Sequence, residues 1–277
     1  MMMKRAASIL VLSMLPGVSS AGLLDSALRF WSFDGTLSDS VANIGATARN
    51  WDGGYSTDRD GNLGGALDLT GDLDAIIVDS SSDLATLSQY SLSLWFRMDS
   101  HNGPLGRSQI FDVRDAGGNE TASVRGLIDN TATGGVISNL DPVNAWLFPY
   151  TTSADNKILL ESANNQTWHH LLYSVSDTQE SIYFNGNAVA SPLPFRPDTP
   201  SNFNAGIAFG DKRSDLGGGF NFNGSLDDIA LWDRALSASD AAALFAAPAS
   251  ASVPAPATLL LLLAGIGLLR TRAGLKG

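Results

Sequence analysis

The stretch from Gly224 to Ser237 constrains the fold of this chain more than any other segment. Its first half is rich in the β-branched and aromatic residues that suit a packed, pleated strand. Ser237 is followed three residues later by Asp240, which predicts a capping box ahead of a helix over 241–247. A buried strand that runs straight into a helix requires a sheet upstream on which it can pack.

Short apolar runs separated by turn residues recur along the chain and predict such a sheet. Residues 91–98 alternate between apolar and polar positions, the period of a half-buried strand, and 168–175 form a second strong strand. Asn185-Gly186 lies between two apolar runs and predicts a hairpin. No repeat of fixed period is present, so we expect one all-β domain over residues 22–247, a sandwich or jelly roll. Further strands are predicted at 28–33, 65–69, 75–78, 109–113, 122–128, 145–150, 157–160, 180–184 and 205–210.

The amino-terminal segment has the three parts of a secretory signal peptide. Two basic residues, Lys4 and Arg5, precede an apolar run over 6–18, and small residues follow up to Ala21. We therefore expect residues 1–21 to be removed by signal peptidase and the rest of the chain to be exported.

The carboxyl-terminal segment is predicted to be a transient anchor. An Ala/Ser/Pro linker over 248–253 precedes the Pro254-Ala255-Pro256 sequence, and an apolar run with a basic end completes the tail at 254–277. The run over 257–269 has 13 residues, whereas a stable membrane span needs about 20. The basic end would stay in the cytoplasm. A plain membrane anchor remains the alternative.

Charge and cysteine content restrict the partners of the domain. Five of the 17 basic residues lie in the two terminal segments, which leaves 12 basic against 28 acidic residues and a net charge of −16. Such a body repels nucleic acid and anionic lipid. The chain has no cysteine, so the exported domain depends on its hydrophobic core, with or without a metal ion.

An ordered set of motifs resembles the bacterial laminin-G-like, concanavalin A-like jelly-roll domains. The resemblance implies two sheets that form an all-β jelly roll with a short carboxyl-terminal helix, used mostly to bind carbohydrate or protein, and frequently one structural calcium ion. It does not extend clearly over about 100–165. The matching segments are 31–35, 64–69, 90–96, 167–170, 185–186 and 222–237.

The tail resembles the bacterial PEP-CTERM sorting signal, in which a Pro-x-Pro motif precedes a hydrophobic helix and a basic terminus. Pro254 and Pro256 form the motif here, with Ala255 in place of the acidic residue usual between the prolines. The resemblance implies recognition and removal by an exosortase-type membrane protease, in bacteria that produce exopolysaccharide. The protein would then lie at the cell surface or in the extracellular matrix.

The adjacent carboxylates Asp227 and Asp228 are the first candidate for site chemistry. Successive residues of a strand point to opposite faces, so the pair cannot reach one ion unless a bulge intervenes. Calcium requires six to eight oxygen ligands. The family resemblance favours Asp34 and Asp228 as carboxylate ligands, together with carbonyl groups of the turn at 33–35. The alternative is that these acids cap turns.

Two other polar motifs are predicted to be structural. The oxygen-rich segment 58–62 lacks the glutamate of a calcium loop, since Leu69 occupies that position, and we expect a solvated loop. His169 and His170 point to opposite sides of one strand and cannot chelate a metal together. We expect one ring inside the sandwich and the other at its surface.

Enzymatic motifs are absent from the sequence. Glycoside hydrolysis needs two carboxylates that flank the scissile bond, and none of the three glutamates belongs to a Glu-x-Asp-x-x-Glu strand motif. A nucleophile elbow, a phosphate loop and a dinucleotide fingerprint are missing as well. We therefore predict no catalytic residue.

Four aromatic residues lie in or near loop-rich stretches: Trp51, Tyr55, Trp146 and Tyr150. They are either a platform for sugar or ordinary packing residues, and the sequence does not separate the two.

The sequence as a whole predicts an exported, non-catalytic protein that binds glycan or matrix components at the cell surface. The expected partners are extracellular polysaccharide or a surface protein. A protein-binding adhesive module and a divergent glycan-active enzyme remain the alternatives, because a jelly-roll fold does not specify its ligand.

Overall fold

A computed structural model defines the architecture of the domain. It describes residues 20–70, 73–99, 107–113, 123–129, 143–150, 158–163, 166–188, 193–194, 203, 206–211 and 222–249. The signal peptide up to residue 19, the tail at 254–277 and its Pro254-Ala255-Pro256 motif, and His101 lie outside the described residues.

Two antiparallel sheets form the sandwich, which confirms the predicted jelly-roll class. The first sheet has the order β13-β12-β11-β6-β16-β4-β3, with β1 paired to β16 and β14 paired to β12. Its strands are β1 (Arg29–Trp31), β3 (Tyr55–Ser56), β4 (Ala66–Leu69), β6 (Tyr90–Met98), β11 (Trp168–Val175), β12 (Gln179–Phe184), β13 (Asn187–Ala188), β14 (Leu193–Pro194) and β16 (Gly224–Trp232).

The second sheet has the order β10-β9-β8-β7-β15-β5-β2. It includes the strands between residues 107 and 163, whose order the sequence had left open. Its strands are β2 (Thr47–Arg49), β5 (Ala75–Val78), β7 (Arg107–Val113), β8 (Ser123–Asp129), β9 (Val143–Tyr150), β10 (Ile158–Ala163) and β15 (Ile207–Phe209).

The main core lies between the two sheets and follows the predicted alternation of faces. The prediction that this strand is half-buried was wrong, because every residue of β6 except Arg97 is buried. Leu92, Leu94, Phe96 and Met98 of β6 are all buried in it. Their partners on β11 include Tyr173, which faces Leu92 in the strand register. Alternate residues of β6 and β11 therefore point away from this core, toward the outer face of the first sheet.

The hairpin at Asn185-Gly186 is confirmed. Both residues have positive φ, 49° and 75°, as a type I′ turn requires, and Phe184 pairs with Asn187 beyond it. The Asn185 side chain also accepts a hydrogen bond from the His170 backbone N–H at 2.9 Å, which ties the turn to β11.

Two short helices and the residues around them cover part of the outer face of the first sheet and form a second core. Helix α1 spans Ser20–Leu24, and helix α2 spans Ala238–Phe245. Trp232 of β16 is fully buried beneath them and donates its indole N–H to the Leu23 carbonyl at 2.9 Å.

The predicted capping box of α2 is present. The Ser237 hydroxyl accepts from the Asp240 backbone N–H, and the Asp240 carboxylate accepts from the Ser237 backbone N–H. The helix begins three residues earlier than predicted, because Ser237 is the N-cap and the first helical turn follows it at once.

Two buried serines hold the connection from β16 to α2 against the sheet. The hydroxyl groups of Ser91 and Ser174 both accept from the Leu236 backbone N–H at 2.9 Å. In turn they donate to the carbonyls of Arg234 and Leu236. The path of the chain over the outer face is therefore fixed by hydrogen bonds as well as by apolar packing. Among the described residues, no helix is long and apolar enough to cross a membrane.

Candidate functional site

A bulge in β16 brings the adjacent acids to one side of the sheet. Asp227 lies opposite Trp95 of β6, whereas Ala230 lies opposite Ser93, so three steps on β16 face two steps on β6. Asp228 adopts φ 42°, a left-handed conformation that aspartate tolerates better than most residues. The expectation that the two carboxylates point to opposite faces was therefore wrong, because the bulge breaks the alternation.

The bulge lies where β16 changes neighbours. One edge of β16 pairs with β6 along most of its length, while the other edge pairs first with β4 and then with β1. The pairing with β4 ends at Leu226, and that with β1 includes Ile229 and continues to Leu231. The acid pair thus occupies the gap between β4 and β1, where a loop can enter.

Arg59, from the loop between β3 and β4, fills this gap. Its Nη1 lies 2.7 Å from Asp228 Oδ2 and 3.3 Å from Asp227 Oδ2. Its Nη2 donates to the Pro248 carbonyl at 2.8 Å, and its guanidinium carbon lies 4.2 Å from the centre of the Trp95 ring. Only 7% of the Arg59 side chain is exposed. The guanidinium therefore joins β16, β6 and the end of the domain in one buried cluster.

The loop that carries Arg59 was expected to be solvated, and this holds only for its tip. Asp58 is buried and accepts from the backbone N–H groups of Asp60 and Asn62 at 2.9 and 2.8 Å. These contacts make it the organiser of a tight turn. Asp60 is exposed and accepts from the Ala249 backbone N–H at 2.7 Å. The prediction failed because the hydrogen-bond partners of Arg59 lie 168 residues or more away in sequence.

The acid pair carries one proton at neutral pH. Burial, together with the neighbouring Asp228 carboxylate, raises the pKa of Asp227 to about 9, although Arg59 acts in the opposite direction. One guanidinium cannot neutralise two buried carboxylates. The shorter distance pairs Arg59 with Asp228, and the raised pKa favours the protonated form of Asp227.

His170 lies beside this cluster and is neutral. Burial and then the positive charge of Arg59 lower its pKa to about 3. Its Nε2 is 2.8 Å from the Ser93 hydroxyl, and its ring lies 5.1 Å from that of Trp95. The adjoining cavity, also lined by Arg59 and Asp228, has a volume of about 10 Å³, room for about one water molecule. A sugar ring does not fit there.

The two histidines do point to opposite sides of β11, as predicted, but both are buried. The His169 ring stacks on Phe184 at 5.1 Å, next to the main core. His170 points to the outer face, where Phe245 of α2 covers it at a ring distance of 6.3 Å. The expectation that one ring lies at the surface was wrong because helix α2 covers this part of the sheet.

The two residues predicted to bind calcium lie at the same end of the β1–β16 ladder. Trp31 pairs with Ile229, so the chain beyond β1 runs toward the bulge. Asp34 is exposed in a tight turn whose Phe33 and Gly35 have φ 54° and 69°. Asp228 uses Oδ2 to bind Arg59. Within the described ranges, no group of three or more histidine and carboxylate side chains is suitably placed to hold a metal ion.

Two of the four loop aromatics can be assigned. Trp51 and Tyr55 form an edge-to-face pair with ring centres 5.4 Å apart and pack against the main core. Trp51 also donates its indole N–H to the Asp68 carbonyl at 2.7 Å. Trp146 and Tyr150 lie on β9, of which only the backbone is described.

One polar row on the outer face of the first sheet stays partly exposed, apart from Ser225, which is fully buried. Trp168, Arg97, Ser225 and Asp68 are successive partners across β11, β6, β16 and β4, and we call these four residues the open row. Arg97 donates from Nε and Nη2 to the two carboxylate oxygens of Asp99 at 2.9 and 3.2 Å. Its guanidinium carbon also lies 5.5 Å from the Trp168 ring centre.

These features define a lectin-like sandwich of two antiparallel sheets, one of them covered in part on its outer face. Residues 69–242 match the Laminin_G_3 family, described as the concanavalin A-like lectin/glucanases superfamily. The chain belongs to this family. No curated protein matches the sequence.

Solved structures share the fold at low identity. The ligand-binding domain of botulinum neurotoxin serotype D, solved with N-acetylneuraminic acid, is 14% identical and superposes with a TM-score of 0.54 over 82% of this chain and 52% of that chain. Trypanosoma rangeli sialidase is 14% identical, with a TM-score of 0.54 over 81% and 32%. Domain 4 of AbnA, a GH43 extracellular arabinanase from Geobacillus stearothermophilus, solved with arabinotriose, is 21% identical, with a TM-score of 0.48 over 79% and 98%.

At these identities the likeness shows the fold alone. This chain spans about half the length of the neurotoxin domain and about a third of the sialidase. The family includes lectins and glucanases, so the fold is of a carbohydrate-binding type and does not separate binding from catalysis.

Sequence reasoning missed Arg59 and Arg97. Arg97 carried a usable signal, because it follows Trp95 at strand period and therefore lies on the outer face, with Asp99 two residues further on. Arg59 carried none, since its role depends on a bulge in a strand far along the sequence.

The shared proton predicts different outcomes for two matched substitutions. Asp227→Asn resembles the protonated side chain, and we expect it to change the free energy of unfolding by about 1 kcal/mol or less at neutral pH. Asp228→Asn removes the ionised partner of buried Arg59 and should cost about 3–5 kcal/mol. Denaturant unfolding measures both, with the exposed Asp52→Asn as control. Equal losses in the two variants would contradict this assignment.

The pH dependence of the free energy of unfolding tests the same assignment. The folded protein keeps a proton on Asp227 that the unfolded chain releases near its ordinary pKa of 3.8. The wild-type free energy of unfolding should therefore receive a contribution that is full below about pH 4 and is lost as pH rises to about 9. Asp227→Asn should remove this part of the slope, whereas Asp52→Asn should retain it.

Proposed function

We propose that this protein is an exported, non-catalytic glycan- or matrix-binding protein of the cell surface. The observation that carries the proposal is the state of the acid pair. Asp227 and Asp228 are the adjacent carboxylates best placed for glycosidase chemistry, and they are 0% and 7% exposed beneath Arg59.

The geometry of the pair argues against hydrolysis at this position. A glycosidase needs two carboxyl groups on either side of a sugar linkage, with room for the substrate or a water molecule between them. Here the two side chains contact the same guanidinium nitrogen, and the adjoining cavity holds about one water molecule. The pair is better suited to joining strands than to catalysis.

Binding is further supported by the family. The chain belongs to a superfamily of lectins and glucanases, and the neurotoxin domain that shares its fold was solved with a sugar acid. In the described part of the chain the outer face of the first sheet is closed at one end and polar at the other, which gives a ligand a surface to contact.

Binding without turnover is the expected result for purified protein. We expect it to bind a subset of immobilised bacterial and plant polysaccharides on a glycan array and to release no reducing sugar from the bound ones. Release of reducing ends would favour the enzyme alternative. Binding to surface proteins with no glycan bound would favour the adhesive module.

Export and sorting form the second part of the proposal. Residues 1–21 are a signal peptide, residues 22–247 the jelly-roll domain, 248–253 a linker and 254–277 a sorting signal that anchors the protein transiently in the inner membrane. Leu23 and Leu24 are buried in the second core, so a mature chain that begins at Gly22 retains these contacts. Contacts of the body continue to Ala249 through Arg59 and Asp60.

Processing at both ends is therefore the expected state of the secreted protein. Mass spectrometry of the form released by the native host should give a first residue of Gly22, after cleavage by signal peptidase. It should also give a last residue well before Gly277, after cleavage by an exosortase-type protease near Pro254-Ala255-Pro256. A released protein that still ends at Gly277 would contradict sorting by removal of the tail.

A structural calcium ion is the third part of the proposal. Asp34, Asp228 and carbonyl groups of the turn at 33–35 would supply oxygen ligands, as calcium prefers. Because Asp228 Oδ2 already binds Arg59, Asp228 is the weaker of the two proposed calcium ligands. Exposed Asp34 and the carbonyl groups of its turn would supply most of the oxygen ligands.

Calcium should raise the melting temperature relative to excess chelator, because an ion that binds only the folded state stabilises it. Asp34→Asn should remove most of that increase. Asp52→Asn, a second exposed carboxylate, should respond to calcium as the wild type does. An identical melting curve with and without calcium would rule the ion out.

A further inference from the structure

The outer face of the first sheet changes from covered to open along its strands. Ser174 and Ser91 lie in the row beneath the connection to α2, and His170 and Trp95 lie in a row covered by Phe245 and Arg59. The next row in the same direction is the open row. In the described part of the chain, neither α1 nor α2 reaches it.

The open row offers an aromatic ring at the edge of this opening. Trp168 is half-buried and is the first residue of β11. On the side away from Arg97, β12 has already turned at Asn185-Gly186, so no described strand pairs with Trp168 there. Arg97 lies over one side of the indole, and the half-buried ring keeps part of its surface exposed.

The polar groups beside the ring have the geometry of a sugar-binding pair. Arg97 and Asp99 form a two-point contact, and Nη2 of Arg97 also donates to the Ser225 hydroxyl at 3.1 Å. Ser56 donates to the same hydroxyl at 2.7 Å, which holds it in place. A planar guanidinium and a carboxylate side by side supply donors and acceptors in one plane, and both remain about a quarter exposed.

The charge of this group selects among sugars. Arg97 and Asp99 neutralise one another, and Asp68 adds one negative charge, so the row offers no net positive charge to an acidic sugar. The surrounding body carries a net charge of −16 without its terminal segments, which repels uronic acids and sulfated sugars. A neutral sugar with adjacent hydroxyl groups fits this combination.

We propose that the open row, with Asp99, binds a neutral sugar unit of a polysaccharide. The apolar face of the sugar packs on Trp168, and adjacent hydroxyl groups exchange hydrogen bonds with Arg97 and Asp99. This inference rests on the proposed glycan-binding function and gives it a location and a class of ligand.

The test compares variants of the secreted protein on neutral probes (cello-, laminari-, xylo- and arabino-oligosaccharides) and acidic probes (polygalacturonate and alginate). Wild type should bind at least one neutral probe. Trp168→Ala should weaken that binding about tenfold or more through loss of the aromatic face. Phe245→Ala, which removes an aromatic ring from the covered part of the same face, is the matched control and should bind as wild type does.

A second variant separates recognition from general damage to the fold. Asp99→Asn leaves Arg97 without its carboxylate and makes the surface beside Trp168 less negative, so neutral binding should weaken while binding to polygalacturonate increases. Melting temperatures of all variants should stay within a few degrees of wild type; Asp99→Asn, with its gain of acidic binding, remains informative if Trp168→Ala unfolds.

The outcomes distinguish this site from the wider function. If wild type binds neutral probes and both Trp168→Ala and Asp99→Asn bind them equally well, the open row is not the site, although glycan binding stands. If wild type binds only acidic probes, the ligand class is wrong. If wild type binds no carbohydrate, the proposed function fails and this inference with it.

Discussion

The guanidinium of Arg59 is the contact on which the outer half of this domain depends. It lies against two carboxylates of β16, over the Trp95 ring of β6, and on the Pro248 carbonyl at the end of the domain. A buried charge is costly unless it is paired, so each of these groups needs the others. The acid pair needs a cation because both carboxylates are buried, and on the edge of β16 away from β6 no described strand pairs with the bulge. The cation in turn fixes the loop at Asp58 and the point at which the carboxyl-terminal tail leaves the body.

This arrangement divides one sheet face between structure and function. On one side of Arg59, apolar residues from the first and last segments of the domain cover β11, β6 and β16 and bury Trp232. On the other side, the open row stays partly exposed at Trp168, Arg97 and Asp68, whereas Ser225 is fully buried. The cluster of Arg59, Asp227 and Asp228 therefore excludes substrate from the two carboxylates. It lies at the edge of the region that the helices cover.

The sequence predicts the local features of this fold well and the long-range ones poorly. The alternation of faces at 91–98, the Asn185-Gly186 turn and the Ser237–Asp240 cap each depend on residues within a few positions, and all three are confirmed, although the strand at 91–98 is buried on both faces. The bulge at Asp227–Asp228 depends on which strands border β16, and that is decided by segments near residues 30 and 67. The burial of His170 depends in the same way on a helix 75 residues later in sequence. A site built from contacts between residues far apart in sequence cannot be predicted from the residues next to any one of them.

The two arginine–aspartate contacts of the outer face show why burial decides the use of a polar group. Arg59 and Asp228 are both 7% exposed, and their interaction stabilises the fold by satisfying charges that water cannot reach. Arg97 and Asp99 are 22% and 28% exposed, so their interaction adds little to stability and leaves donors and acceptors within reach of a ligand. Both contacts pair one arginine with one carboxylate, and both arginines lie near a tryptophan ring. The difference is the cover formed by the segments at both ends of the domain. This cover makes the Arg59–Asp228 contact part of the core and leaves the Arg97–Asp99 contact available for recognition.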